Sequence, residues 1–429
     1  MLQENTNIPV RVDIFYGLST LGTSALGFIS TSWLLYYYVP PDGNALVPVA
    51  LFGTAVFISR ALSALLSPYI GYLSDNTRSR WGRRLPFMLV SALPLVAAFI
   101  FLWKPPIGHE SLINLIYLGG LAILFRLASA FYHVPYQSLL PEIASTERHR
   151  IRISAWQSAF LLLGMMLGGL SGLLIENLGF QITILIYAAV ILPLLVFPIF
   201  FLREKSDRQI HAQQRIGFWE SISLAFRNQA FMIFAIVWAI YLMTTTLVQS
   251  SVPFIVTEVC QLSQSQTIFF YIPGIVASLA WYPIVTMLAN RWGKMKVYLS
   301  SYLASAIIFP GTILMGEWML VPLKAQCVSW AVLQAVAISG VVVLSSAFIA
   351  EITDADEAKT GQRREGVYFA VMKVLDQLFS GVAMFLLPII LLLGRSQFSP
   401  QGPLGVRMTG VVAGILMLIG FFVCRRFEI

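Results

Sequence analysis

The chain has 429 residues, of which 58% are hydrophobic and only 11% charged, with a formal net charge of +8. A soluble chain carries about 25% charged residues, so this composition excludes an ordinary soluble protein and points to one whose solvent is lipid. The basic excess would suit a nucleic-acid partner, but its placement along the chain argues against one.

A bilayer core takes roughly 20 apolar residues per helix. Twelve such runs follow one another, at 12–39, 46–73, 86–103, 112–139, 154–175, 181–202, 229–256, 266–289, 297–316, 327–350, 367–393 and 408–424. The polar start, MLQENTNIPVR, has no small-residue cleavage site, so no removable signal peptide is expected. Cys260, Cys327 and Cys424 show no metal-ligand spacing, and neither a metal nor a cofactor is expected. Cys260 and Cys327 both fall near the outer ends of helices, which leaves a bridge between them open.

Lysine and arginine orient the runs. Of the 28 basic residues, 21 fall in the loops that share a side with both termini. Four, Lys104, Lys324, Arg395 and Arg407, fall in the opposite loops. Arg60, Arg126 and Lys373 lie inside helices. The expectation is a plasma (bacterial inner) membrane protein with cytoplasmic termini. Topology then accounts for the positive charge, without nucleic acid.

RWGRR at Arg80 returns as RWGKMK at Arg291, and PEIAS at Pro141 is echoed by AEITD at Ala350. Both echoes are offset by about half the chain and fall in equivalent loops. They predict an all-α membrane protein of two pseudo-symmetric six-helix bundles, 1–202 and 229–429, joined by a cytoplasmic linker over 203–228. That is the layout of the major facilitator superfamily, whose halves rock about a central site.

The loop DNTRSRWGRRLPF, Asp75 to Phe87, resembles the D-x-T-R-S-R-W-G-R-x-x-P-F pattern of the glycoside–pentoside–hexuronide:cation symporters. PYQSLLPE at Pro135 is similar to that family's helix 4–5 loop, and DADEAKTGQRREG at Asp354 to its helix 10–11 loop. The family includes melibiose-type permeases and, more distantly, vertebrate lysolipid carriers. The resemblance implies alternating access, a small-molecule substrate, a coupling cation and a monomer among membrane lipids. It also places Ser63 and Ser67 where melibiose-type members carry cation-site aspartates, and His133 where they carry a helix 4 aspartate. Ser24 and Gln157 fall at the sugar-binding aspartate and arginine, and Gln377 at a helix 11 lysine. Neither melibiose nor sodium is therefore carried over.

In the loops, Asp75, Arg78, Arg83 and Arg84, with Glu142, and Arg291, Glu351 and Arg363 in the second half, are expected to form ion pairs that break and reform as the halves rock. The alternative is that they only hold their loops on one side.

Within the membrane, Arg60, Ser63 and Ser67 share one helical face, as do Arg126, Ser129, His133 and Gln137. A charge at that depth costs at least about 2.5–3.5 kcal/mol, and the one acid well inside a run, Asp376, has Lys373 one turn before it. Two readings stand. The arginines bond backbone, hydroxyls, water or Asp376, or the substrate brings the missing negative charge, which guanidinium grips in a forked geometry. His133 or Asp376 would handle a coupling proton; a neutral, hydrogen-bonding His133 is the alternative. In the second half, Trp238, Tyr241, Thr245 and Gln249 on helix 7, Trp330 and Gln334 on helix 10, and Gln377 suit a sugar ring or the neck of an amphiphile. Ordinary packing is the alternative.

The expected function is cation-coupled secondary transport of a sugar, glycoside or sugar acid. The alternatives are a carrier of an anionic amphiphile such as a lysolipid, and a membrane sensor that transports nothing. No nucleophile triad, phosphate loop or metal spacing supports an enzyme.

Overall fold

The computed structural model describes residues 10–77, 79–144, 146–202, 228–316, 320–360, 365–394 and 403–426. Twelve α-helices are found among them. They are α1 (Val10–Tyr38), α2 (Val49–Asn76), α3 (Leu85–Phe101), α4 (Leu112–Ile143), α5 (Glu147–Gly169), α6 (Ser171–Phe201), α7 (Gln229–Phe254), α8 (Ile268–Trp292), α9 (Lys294–Ile308), α10 (Leu323–Thr360), α11 (Glu365–Leu391) and α12 (Pro403–Cys424). Ten described helices are long and apolar enough to span a bilayer. The two shorter ones, α3 and α9, are extended by a turn at Leu102 and by the 3-10 segment Phe309–Ile313.

The apolar runs mark where lipid is, and helices outrun them because backbone hydrogen bonding does not stop at the lipid boundary. The motif segments at 141–143 and 350–360, expected as loop, are therefore helical ends of α4 and α10. Helix α5 begins at Glu147 rather than 154, with Thr146 accepting from the His149 backbone N–H at 3.3 Å. The turn expected between 175 and 181 falls at Gly179, whose φ of 78° is open to glycine without strain.

The packing of the first six helices recurs in the last six. Helix α1 packs on α5 and α6, α2 on α4, and α3 on α4 and α6. Six helices later, α7 packs on α11 and α12, α8 on α10, and α9 on α10 and α12. Buried tyrosines add ties between α1 and the end of α3 and between α9 and α7 by donating to backbone carbonyls, Tyr38 to Leu102 at 2.8 Å and Tyr302 to Val237 at 3.0 Å. Large apolar side chains such as Leu65, Val90, Ile116 and Ile307 are left exposed on the outside, as lipid-facing residues are.

Between the two sets, α2 lies against α11 at very close range. A Cβ on Gly53 would stand 2.7 Å from the Phe385 Cα, and one on Gly381 would stand 3.0 Å from the Phe57 ring. Helices α1 and α7 meet through Ser250, which donates to the Thr31 carbonyl at 2.8 Å, and through Gln249 and Ser32 at 3.3 Å. Both contacts lie toward the end of the bundle away from the arginine-rich loops, here termed the distal end; the other is the basic end.

Candidate substrate cavity

Helices α2 and α4 pack side by side, which brings their two polar stripes together. Ser63 donates to the Arg126 carbonyl at 3.3 Å, and Ser67 donates to the Ser63 carbonyl at 2.6 Å. Both serine hydroxyl protons are thus used by backbone. Farther along α4, the ring Nε2 of His133 and the amide of Gln137 are 2.8 Å apart.

Across from them on α11, Lys373 stands 2.9 Å from one Asp376 oxygen, and Ser380 donates to the other at 3.2 Å. Ser380 also accepts from Thr246 of α7 at 3.1 Å, so the chain of contacts runs from α7 to the carboxylate. Asp376 is within electrostatic reach of Arg60, Arg126 and His133, and Arg60 of Arg126. The stem of Arg60 lies beside Gly381, with its Cβ 3.5 Å from where a glycine Cβ would stand. Three cations and one acid thus converge where the two sets of helices meet.

Neither arginine is satisfied by a described residue. Arg60 is 6% exposed and its Nε is buried without a hydrogen-bond partner. Arg126 is half-buried, and its guanidinium lies 5.7 Å from the Phe125 ring centroid. Among the described residues neither pairs with an acid; ion pairs there include Asp13 with His149 and Arg152, Lys294 with Glu351, and Lys373 with Asp376. A bridge from either arginine to Asp376 is not formed, because Lys373 holds that carboxylate.

The remaining expected residues divide. Gln334 and Gln377 are half-buried, each with an amide oxygen buried and unpartnered. Gln157 donates to the Tyr136 hydroxyl at 3.1 Å; that hydroxyl also meets Thr20 at 2.7 Å and donates to the Tyr16 carbonyl at 2.8 Å. Trp238 is half-buried, and its ring lies 5.1 Å from that of Tyr241. Tyr241 is 8% exposed and has Tyr282 and Tyr298 as neighbours. Thr245 donates back to the Leu242 carbonyl, and Gln249 serves the distal contact with Ser32. Trp330 does not join a wall: its indole donates to the Ile308 carbonyl at 3.0 Å and packs on Phe270.

At the basic end, Arg84 donates to the Ser138 carbonyl at the end of α4. In the second half, Lys294, which corresponds to Arg83, pairs with Glu351. Glu351 therefore takes Lys294 rather than Arg291, which is exposed. Arg83 is half-buried beside this loop. Arg78 and Arg363 lie outside the described residues, as do the side chains of Asp75 and Glu142 and residues 203–227 of the linker.

Sequence reading missed the triad Asp13, His149 and Arg152, which pins the start of α1 to the start of α5. Asp13 is fully buried and sits 2.7 Å from the His149 Nε2. Its one sequence signal was an acid in a first helical turn, where the dipole favours it. The Tyr16–Tyr136 pair, stacked at 4.4 Å, was also missed, since tyrosines in an apolar run read as packing. Cys260 and Cys327 are free, buried thiols.

Comparisons agree with this architecture. The nucleoside transporter NupG superposes with a TM-score of 0.68 over 98% of this chain and 99% of that one, at 13% identity. A bacterial homolog of the human lysosomal transporter Spinster, in an inward-facing and unoccupied conformation, superposes with a TM-score of 0.68 over 97% and 96%, at 12% identity. An uncharacterized symporter of Synechocystis sp. is 24% identical over 88% of this chain and 84% of its own length. A glucuronide carrier protein homolog of Escherichia coli is 25% identical over 69% and 65%. A sodium-dependent lysophosphatidylcholine symporter of Danio rerio is 29% identical over 34% and 26%. The family model for MFS/sugar transport proteins matches residues 15–425. The chain is therefore an integral membrane transporter and not an enzyme, and belongs to the MFS/sugar transport protein family, the glycoside–pentoside–hexuronide:cation symporters of the major facilitator superfamily.

Proposed function

We propose that this symporter carries a sugar acid or acidic glycoside by alternating access between the bundles 1–202 and 229–429. The observation that carries the reading is the pair of guanidiniums, Arg60 and Arg126, that no described acid neutralises. With Lys373 and Asp376 the deep charges are three cations and one anion, an excess of two positive charges that a carboxylate, sulfate or phosphate on the substrate would reduce. Guanidinium holds such groups by two parallel hydrogen bonds. The unpartnered amide oxygens of Gln334 and Gln377 are then free for substrate hydroxyls. A glucuronide carrier homolog among the relatives supports the class.

In this reading the basic end is cytoplasmic, the membrane is the bacterial inner membrane, and the cation is a proton handled at His133 or Asp376. Ser63 and Ser67 line its route. Arg83, Arg84, Arg291 and Glu351, with Asp75, Arg78, Glu142 and Arg363, form the latch at the basic end.

Ligand-induced thermal stabilisation of the purified protein tests it, comparing a neutral glycoside, its uronate and an anionic lysolipid at pH 6 and pH 8. Stabilisation by the uronate supports the proposal. A response to the lysolipid alone would make this a carrier of an anionic amphiphile, the class named in the Danio rerio relative. A response to the neutral glycoside alone would make the arginines internal struts.

A further inference from the structure

Among the described residues, the distal contacts between the two sets of helices are built almost wholly from neutral groups. Ser250 meets the Thr31 carbonyl, Gln249 meets Ser32, and Gln264 donates to the Tyr36 hydroxyl at 3.3 Å. One contact is charged. The Glu176 carboxylate, on α6, accepts from the Ser265 backbone N–H at 2.6 Å. Ser265 lies in the 3-10 turn Gln264–Thr267, between α7 and α8. The hydroxyls of Ser263 and Ser265, themselves 2.8 Å apart, flank that donated N–H.

Local structure explains the fit. Gly172 lies one turn before Glu176 on the same face, and a Cβ there would stand 2.2 Å from the Thr267 hydroxyl and 2.3 Å from the Gln264 carbonyl. The turn can rest directly on α6 only because that residue is glycine. Four residues on, the carboxylate then meets the Ser265 N–H at the start of the turn. The chain enters this turn through Gln261, the one non-glycine residue with positive φ among those described, at 50°.

We propose that Glu176 is the charged latch of the distal gate, and that neutralising its carboxylate releases the distal ends of the two bundles. A charged acceptor holds N–H and O–H donors about twice as strongly as a neutral one. Protonation or amidation therefore weakens the closed arrangement and leaves the cavity residues untouched. Described titratable groups on the elements packed around it at this end include Tyr36, Tyr37 and Tyr38 on α1, Lys104 after α3, Glu258 and Cys260 before the turn, and Tyr271 on α8; none forms an ion pair with Glu176. The inference rests on alternating access but not on any substrate, so its test needs none.

The reporter is Ser250→Cys, which sits fully buried at the α1–α7 contact. Its labelling by a membrane-impermeant thiol reagent is measured in intact cells. A parallel sample without the new cysteine reports the native thiols. Labelling is normalised to Asp42→Cys, on an exposed distal loop. That control also fixes orientation: if it labels only in inverted vesicles, the measurement is made from that side. Glu176→Gln should raise Ser250→Cys labelling roughly three- to tenfold. Ser265→Pro, which deletes the donated N–H, should do the same, and the double variant no more than either. Wild-type labelling should rise as pH falls through the carboxylate range, and the response should vanish in Glu176→Gln but persist in Glu258→Gln. Labelling of Glu176→Gln at the wild-type rate overturns the proposal. So does a pH response that survives in Glu176→Gln or disappears in Glu258→Gln. If Ser265→Pro does not fold, Glu176→Gln and the pH profile decide alone.

Discussion

Lys373 holds Asp376 at 2.9 Å, one turn apart on α11, and so removes from circulation the one deep acid that could have satisfied Arg60 or Arg126. The pair is partly open, with side chains 47% and 24% exposed, so its own strength is modest. Its importance is what it leaves unpaired.

Removing the acid should strengthen anion binding. At an effective dielectric near 20, a unit charge about 8 Å away is worth about 2 kcal/mol. Asp376→Asn is expected to tighten uronate binding by up to about thirtyfold and to weaken proton coupling. Lys373→Gln should weaken uronate binding by a similar factor, since Asp376 is then free to pair with an arginine. Isothermal titration with the uronate, and pH changes on transport in vesicles, check both.

Arg126→Gln should lose at least tenfold in affinity for a charged ligand, as one charge-assisted hydrogen bond is worth about 1.5–3 kcal/mol. The unfolding midpoint of the ligand-free protein should change little, because this guanidinium makes no bond to a described residue. Severe loss of expression would instead mark a structural arginine.

The α2–α11 contact should not tolerate side chains. Gly53→Val places its Cβ 2.7 Å from backbone of α11, which cannot move as a flexible side chain could. Overpacking of this kind costs typically about 1–3 kcal/mol. A lowered unfolding midpoint is expected for Gly53→Val. Gly120→Ala, where the added Cβ meets nothing within 4 Å, serves as the control.

Two ion-paired acids at the basic end, Glu351 and Asp13, should behave oppositely. Lys294 and Glu351 are 48% and 36% exposed, so Lys294→Ala should cost less than about 1 kcal/mol of stability. Its effect should appear in transport rate rather than in affinity. Asp13 is fully buried and takes both His149 and Arg152. Asp13→Asn, which leaves His149 without its charged acceptor, should cost about 1–3 kcal/mol. Thermal unfolding of the two variants side by side checks the contrast.

The apolar runs, the one-sided arginines and the repeated RWG loops determined the helix count and the family, because lipid imposes length and polarity on every spanning segment alike. They also marked Arg60, Arg126, Lys373 and Asp376 as costly, since charge within an apolar run is visible without coordinates. Helix periodicity placed Ser63 on the Arg60 face. Only tertiary structure could show that Ser63 donates to α4, that Trp330 turns to Ile308, and that Glu351 takes Lys294. The same holds for Asp13 with His149 and for Glu176 with Ser265, which are 136 and 89 residues apart. Periodicity fixes which face of a helix a residue occupies. Which partner that face meets depends on how the helices are rotated and how closely they approach, and glycines such as Gly53, Gly172 and Gly381 set that approach.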